Sequence, residues 1–125
     1  MIKFYDPIYR VTYYFSSKDH VKLQKKIFKE VIDAGGALGK YISKGNETLI
    51  WVDKFKINPD KLGVLAHEVN HAVDYTTEWA GVEDTEAKSY YAEFITKSIL
   101  NGHLKSLKRV RKDKMPSKTK GTNKK

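Results

Sequence analysis

The chain has 125 residues and a formal net charge of +9 at pH 7, and it contains no cysteine. The length fits one small domain, and eight tyrosines with five phenylalanines argue against a largely disordered chain. The absence of cysteine excludes disulfides and thiolate metal ligands, and no apolar run is long enough for a membrane span or a signal peptide, so a cytoplasmic location is expected.

The first half of the chain shows the pattern of strands around one helix. Residues 8–15 alternate between apolar and polar side chains, which predicts a half-buried strand. A helix-capping signal follows, and a helix is expected over residues 19–34, where Gly35 and Gly36 would end it. Residues 37–43 and 48–53 are predicted to be two strands joined by a hairpin turn.

Two helices are predicted in the second half. Asn58 and Pro59 form a strong start signal, because asparagine accepts hydrogen bonds from the free N–H groups of a first turn and proline is tolerated there. This helix is expected to end at Tyr75 or Thr77, and a last helix, capped by Asp84 or Thr85, is expected to run toward Leu107. The predicted fold is therefore α+β, a small antiparallel sheet packed on three helices.

The excess positive charge lies in the C-terminal segment. Residues 1–100 hold 14 Lys and Arg against 14 Asp and Glu, whereas residues 101–125 hold 10 basic residues and one acid, Asp113. We expect a folded domain over residues 1–107 and a disordered basic tail over residues 108–125. Such a tail can bind the phosphate backbone of a nucleic acid, or it can serve only to keep the protein soluble.

The pentapeptide H-E-x-x-H occupies residues 67–71, inside the predicted helix that begins near Asn58. Residues four apart share a helix face, so His67 and His71 can bind one metal ion. Glu68 can reach a metal-bound water as a general base without being a ligand. The pattern predicts a zinc site, and the alternative is a solvated helix face without metal.

A catalytic zinc site needs a third protein ligand. The extended pattern H-E-x-x-H-x-x-G-x-x-H is not met, because Asp74 and Thr77 stand where its glycine and last histidine would be. The candidates are carboxylates of the following segment, namely Glu83, Asp84, Glu86 and Glu93. Glu86 is favoured because it lies fifteen residues beyond His71 and shares a helix stripe with Tyr90. Glu93 lies about 10 Å further along the helix axis, so Glu86 and Glu93 cannot both bind one ion, and Glu93 is the alternative ligand.

Two segments of the chain resemble the gluzincin metallopeptidases, especially their minimal single-domain and small phage-encoded forms. They are residues 65–73, LAHEVNHAV, and residues 86–95, EAKSYYAEFI. The match, from residue 65 to residue 95, covers about a quarter of the chain. The resemblance implies that Glu86 completes the zinc site. It also implies that the strand at residues 48–53 is an edge strand that holds extended substrate by main-chain pairing. The larger subdomains of the family are absent, and the basic tail is not part of the family pattern.

The sequence therefore predicts a zinc-dependent metallopeptidase that acts on peptide or protein substrates. The expected Zn²⁺ ligands are His67, His71 and Glu86. Glu68 is the expected general base, and Tyr90 is a candidate donor to the oxyanion of the tetrahedral intermediate. Two alternatives stay open: a DNA-associated protease localised by its basic tail, and a non-catalytic binding or regulatory module stabilised by a metal.

Overall fold

A computed structural model describes residues 1–114, with side chains described for residues 1–111. Its elements are strands β1 (Ile2–Asp6) and β2 (Val11–Ser16), helix α1 (His20–Phe28), strands β3 (Gly39–Lys44) and β4 (Glu47–Val52), and helices α2 (Pro59–Trp79) and α3 (Thr85–Lys114). The α+β class with three helices is thus confirmed. Within residues 1–114, no helix combines the length and the apolar character needed to cross a lipid bilayer.

The four strands form one mixed sheet in the order β1-β2-β4-β3. β1 pairs antiparallel with β2 and β3 pairs antiparallel with β4, but β2 and β4 run parallel. The predicted antiparallel sheet is therefore wrong, because β2 and β4 are connected by a long crossover that contains α1. The expectation that residues 48–53 form an edge strand is also wrong, since β4 is flanked on both sides and β3 lies at the edge.

A turn replaces the start of the strand predicted at residues 8–15. The carboxylate of Asp6, 1% exposed, accepts hydrogen bonds from the backbone N–H groups of Ile8 at 2.8 Å and Tyr9 at 3.2 Å. Arg10 adopts a left-handed backbone conformation with φ 60°. These features reverse the chain, so β2 begins at Val11 and pairs back on β1, a strand that the sequence analysis missed.

Helix α1 ends at Phe28, well before residue 34, because buried Gln24 binds the backbone that follows it. The Gln24 Oε1 atom accepts hydrogen bonds from the N–H groups of Ile32 at 2.8 Å and Asp33 at 2.9 Å. Its Nε2 atom donates to the carbonyl of Asp33 at 2.7 Å. Lys29, with φ 65°, terminates the helix. The Gln24 bonds hold the following residues as a loop that leads to β3.

Predictions made from local signals are confirmed for the hairpin and the second helix. β3 and β4 are joined by a tight turn with Gly45 at φ 61°. The Asn58 side chain caps α2 by accepting the N–H of Lys61 at 2.9 Å. α3 starts near its predicted position but continues to Lys114, so the first part of the predicted tail is helical; residues 115–125 lie outside the described residues.

Helices cover both faces of the sheet. α1 packs on one face, where its apolar side chains meet those of β3 and β4: Leu23, Ile27, Phe28, Ile42, Leu49 and Trp51. α2 and α3 pack on the other face over the larger core: Tyr13, Phe15, Ile50, Val52, Leu65, Val69, Ala72, Val73, Tyr91, Ile95 and Ile99. The H-E-x-x-H helix is thus supported along its length by the sheet.

Candidate metal centre

Helix α2 places the H-E-x-x-H residues at the border of its buried face. Leu65 and Val69 are at most 2% exposed and pack in the core between α2 and the sheet. His67 and His71, one helical turn apart, are exposed, whereas Glu68 between them is only 6% exposed. The imidazoles are therefore accessible from solvent, while the carboxylate lies in the protein.

The two imidazoles converge on each other. The Nε2 atoms of His67 and His71 are 3.2 Å apart, and the rings are nearly perpendicular, at 87°. One imidazole can donate its N–H to the other at this distance. Two nitrogens bound to one tetrahedral zinc ion at ~2.0–2.1 Å would lie roughly 3.3 Å apart. The same side-chain positions therefore suit two corners of a zinc site.

Glu68 packs against the first residue of β3. A Cβ atom added to Gly39 would lie 3.0 Å from Glu68 Oε2 and 2.6 Å from Cγ1 of Val64. Both distances are shorter than side chains tolerate without movement, so glycine is required for this approach of strand and helix. The contact confines the Glu68 carboxylate next to the histidine pair.

The surroundings of Glu68 adjust its proton affinity in two directions. Burial raises the pKa of the Glu68 carboxyl, and the nearby His67, His71 and Lys40 lower it by smaller amounts. A carboxylate with a raised pKa is a stronger proton acceptor, which is the property that a general base needs.

An open cleft of about 500 Å³ adjoins His67, Glu68 and His71. Its other wall is formed by Asp33, residues 35–37 and residues 39–41. The cleft thus lies between α2 and the free edge of the sheet, where a ligand can enter from solvent.

An ion pair between a buried lysine and an exposed aspartate supports the strand side of this cleft. The side chain of Lys40 is 5% exposed, and its Nζ atom bonds Asp33 Oδ2 at 2.9 Å. The hydrogen bond from Lys40 lowers the pKa of Asp33, and the N–H of Gly35 contributes in the same direction. The pair ties the loop to β3 and places a fixed positive charge near Glu68. This pair could not be predicted from the sequence, because a lysine in an alternating strand is normally exposed.

The structure does not bring the predicted third ligand into one group with the histidine pair. Glu86 is exposed in the first turn of α3, where its N–H donates to Asp84 Oδ1 at 2.9 Å. Glu93 is exposed and pairs with Lys97 Nζ at 2.8 Å. Over residues 1–111, no group of three or more His, Asp or Glu side chains is arranged to hold a metal ion. Glu86 does not line the cleft that contains His67 and His71, and its role as a ligand stays a prediction.

Tyr90 lies outside the cleft. Its side chain is 66% exposed on α3 and does not line the cleft wall. Its neighbour Tyr91 is buried, with its hydroxyl 2.6 Å from that of Tyr13, and so belongs to the core. The tyrosine that lines the cleft is Tyr41, whose ring centroid is 6.3 Å from that of His71. The sequence could not indicate Tyr41, because its position depends on how β3 packs beside α2.

Comparisons with protein-family models, curated proteins and solved structures find no match for this chain. The resemblance to gluzincins therefore rests on the two short segments that carry it.

The hydroxyl oxygen of Tyr41 is buried and makes no hydrogen bond of regular geometry among the described residues, although the side chains of Ser43 and Thr48 lie near enough to lower its pKa. We expect Tyr41→Phe to raise the free energy of unfolding by about 1 kcal/mol at pH 7, because a buried polar group without a partner costs free energy. Burial raises the pKa of Tyr41 to about 12. The unfolded chain releases this proton near the usual value of 10, so wild-type stability falls as the pH rises from 10 to 12.

Urea unfolding at pH 7 and pH 11 measures both effects. The free energy of unfolding of Tyr41→Phe should exceed that of the wild type by more at pH 11 than at pH 7. Tyr5→Phe, which changes a 53% exposed tyrosine, is the control and should leave stability nearly unchanged at pH 7. A Tyr41→Phe protein less stable than the wild type at pH 7 would show that the hydroxyl makes a stabilising bond.

Proposed function

We propose that this chain is a zinc-dependent hydrolase that cleaves peptide bonds. The observation that carries the proposal is the 3.2 Å separation of the His67 and His71 Nε2 atoms beside the buried Glu68, at an open cleft. A helix face without function has no need to bury a carboxylate between two exposed histidines, because such burial costs free energy.

The donor atoms of the site suit zinc. Imidazole nitrogens are common zinc ligands, and their separation here fits two corners of a tetrahedron. Zinc bound at this place supplies a Lewis acid and a water molecule of lowered pKa. His67 and His71 would hold the ion through Nε2, and Glu86 is the proposed third ligand.

Glu68 is the proposed proton acceptor. Its carboxylate takes a proton from the attacking water and passes it to the nitrogen of the leaving amine. Burial raises its pKa and so favours the first transfer, whereas the charge of Lys40 favours the ionised carboxylate that begins the cycle. Burial and the charge of Lys40 therefore act in opposite directions on Glu68, which is proposed both to accept the proton of the water and to donate it to the leaving amine.

The free edge of β3 supports a peptide as the substrate. β3 is the last strand of the sheet, and its residues Gly39 and Tyr41 line the same cleft as the histidines. An extended peptide can add to such an edge through main-chain hydrogen bonds. This pairing would lay a peptide bond alongside His67 and His71.

Zinc affinity tests the ligand assignment. We expect His67→Ala and His71→Ala each to weaken zinc binding by about a hundredfold, since a complete structural site gains roughly 10–16 kcal/mol from four ligands. Titration calorimetry on the full chain measures this loss. His103→Ala is the control, because His103 packs against Phe55 away from the cleft, and its affinity should equal that of the wild type. Unchanged affinity in either cleft variant would contradict the assignment.

The charge of α3 favours a second candidate, a protease localised on DNA. The described end of α3 has four exposed basic side chains and no acid among residues 101–111: Lys105, Lys108, Arg109 and Arg111. We expect the full chain to bind duplex DNA with an affinity that falls steeply with salt. Changing the four residues to glutamine should reduce the magnitude of the slope of log K against log salt by about 3.6 if each contacts one phosphate.

Fluorescence anisotropy of a labelled duplex measures this slope. The titrations are made between 50 and 200 mM salt, where phosphate contacts change the affinity strongly. The matched control changes four exposed basic residues of the α1 region to glutamine, namely Lys22, Lys25, Lys26 and Lys29. Both variants lose the same charge. An equal effect in both would show a general charge effect and contradict a DNA site on α3.

A further inference from the structure

A second cavity lies at the C-terminal end of α2. Its volume is about 320 Å³, and it is enclosed by the last turns of α2, the β3–β4 turn and the start of β2. Its walls include Tyr9, Val11, Ser43, Asn46, Tyr75 and Trp79. The hydroxyl of Thr48, also in the wall, donates to Ser43 Oγ at 3.3 Å. Most of the accessible surface that lines the cavity is apolar.

Two aromatic side chains of this wall are largely exposed. Trp79 is 76% exposed and Tyr75 is 53% exposed. A role in core packing would bury these rings. Tryptophan and tyrosine left in solvent beside an apolar cavity are typical of binding sites, where such residues often supply much of the binding free energy.

A row of rings connects this cavity with the cleft at the histidines. The ring centroid of Tyr41 is 6.3 Å from that of His71 and 6.1 Å from that of Tyr75, which lines the cavity. Strand β3 also runs from the cleft to the cavity, since Tyr41 lines the cleft and Ser43 lines the cavity. A peptide paired with the edge of β3 would therefore pass from one to the other.

The distance between the histidines and the cavity determines which side chain of a bound peptide would reach the cavity. Trp79 lies eight residues beyond His71 on α2, which corresponds to about 12 Å along the helix axis. An extended peptide advances about 3.3 Å per residue. A side chain three or four positions from the bond beside the histidines would therefore enter the cavity, on the N-terminal side of that bond if the peptide runs antiparallel to β3.

We propose that this cavity is a subsite for one large apolar side chain, above all an aromatic one, of a peptide bound along β3. The proposal rests on the proposed peptidase function and defines its substrate class: extended peptides with such a residue three or four positions from the cleaved bond. The volume lies near the lower end of the range for small-molecule sites, roughly 300–1,000 Å³. That size suits a single side chain better than a larger ligand.

Peptide binding tests the subsite independently of hydrolysis. Two short glycine–alanine peptides, identical except that one carries phenylalanine where the other carries alanine, are titrated against the zinc-supplied full chain with Glu68→Gln. We expect the phenylalanine peptide to bind about tenfold more tightly or better. Adding Trp79→Ala should remove this preference. Adding Tyr5→Ala, which truncates a similarly exposed aromatic residue on β1, should preserve it.

Thermal unfolding verifies that the Trp79→Ala chain is folded, as expected for an exposed residue. Equal affinities for the two peptides, or a preference that survives Trp79→Ala, would overturn the subsite. Cleavage by the zinc-supplied wild type is then measured with a peptide library. A binding preference without any cleavage would support the subsite and contradict the peptidase. Cleavage without an aromatic preference at the third or fourth position would overturn the subsite alone.

Discussion

Replacing Glu68 with glutamine is expected to lower the rate of peptide hydrolysis by a factor of about 10²–10⁴, because an amide cannot accept the proton of the attacking water. The same change should raise the free energy of unfolding at pH 7. Burial raises the pKa of Glu68 above its usual value of 4.5. The unfolded chain releases this proton more readily than the folded one, so wild-type stability falls as the pH rises from 4.5 through the folded value.

Hydrolysis rates and urea unfolding of the zinc-free chain at pH 4 and pH 7 measure the two effects. Glu78→Gln removes an exposed carboxylate from the same helix and is the control for both. It should keep the wild-type rate and a nearly unchanged stability. The assigned role of Glu68 would be contradicted by a Glu68→Gln protein that hydrolyses at the wild-type rate. A variant less stable than the wild type at pH 7 would contradict the burial argument.

Gly39→Ala is expected to destabilise the fold by about 1–3 kcal/mol, the usual cost of forcing extra atoms into a packed contact. The added Cβ would lie 2.6 Å from Val64 Cγ1 and 3.0 Å from Glu68 Oε2. β3 and α2 would have to separate, or Glu68 would have to move away from the histidine pair. Hydrolysis should therefore fall together with stability.

Gly36→Ala is the matched control, because a Cβ at Gly36 would meet no atom within 4 Å although this residue also lines the cleft. Its effect on stability should stay within about 0.5 kcal/mol. The double change Gly39→Ala with Val64→Ala should recover part of the loss caused by Gly39→Ala, because it removes the closest contact. Equal effects of Gly39→Ala and Gly36→Ala would contradict the required close approach of β3 and α2.

The parts of this fold that could be predicted from the sequence depend on neighbouring residues. The Asn58 cap and Pro59 determine where α2 begins, and Gly45 at φ 61° permits the β3–β4 turn. The convergence of His67 and His71 follows from helix periodicity alone. Each of these signals acts within a few residues, so reading them needed no knowledge of the tertiary structure.

The parts that could not be predicted depend on contacts between distant segments. The parallel pairing of β2 with β4 is decided by how the crossover packs. The end of α1 depends on bonds from the buried Gln24 to the backbone of Asp33, nine residues away. The position of Lys40 beside the cleft depends on the register of β3. Glu86 was placed by its spacing and by a resemblance, and neither specifies the direction of its side chain in a folded chain.

The zinc content of the purified, untagged chain, measured by elemental mass spectrometry after zinc is supplied and excess is removed, tests the central claim most directly. We predict about one zinc ion per chain, and a large loss in the His67→Ala and His71→Ala variants. Absence of zinc from the wild type, or retention of the same content when both histidines are replaced, would contradict a metal centre at H-E-x-x-H.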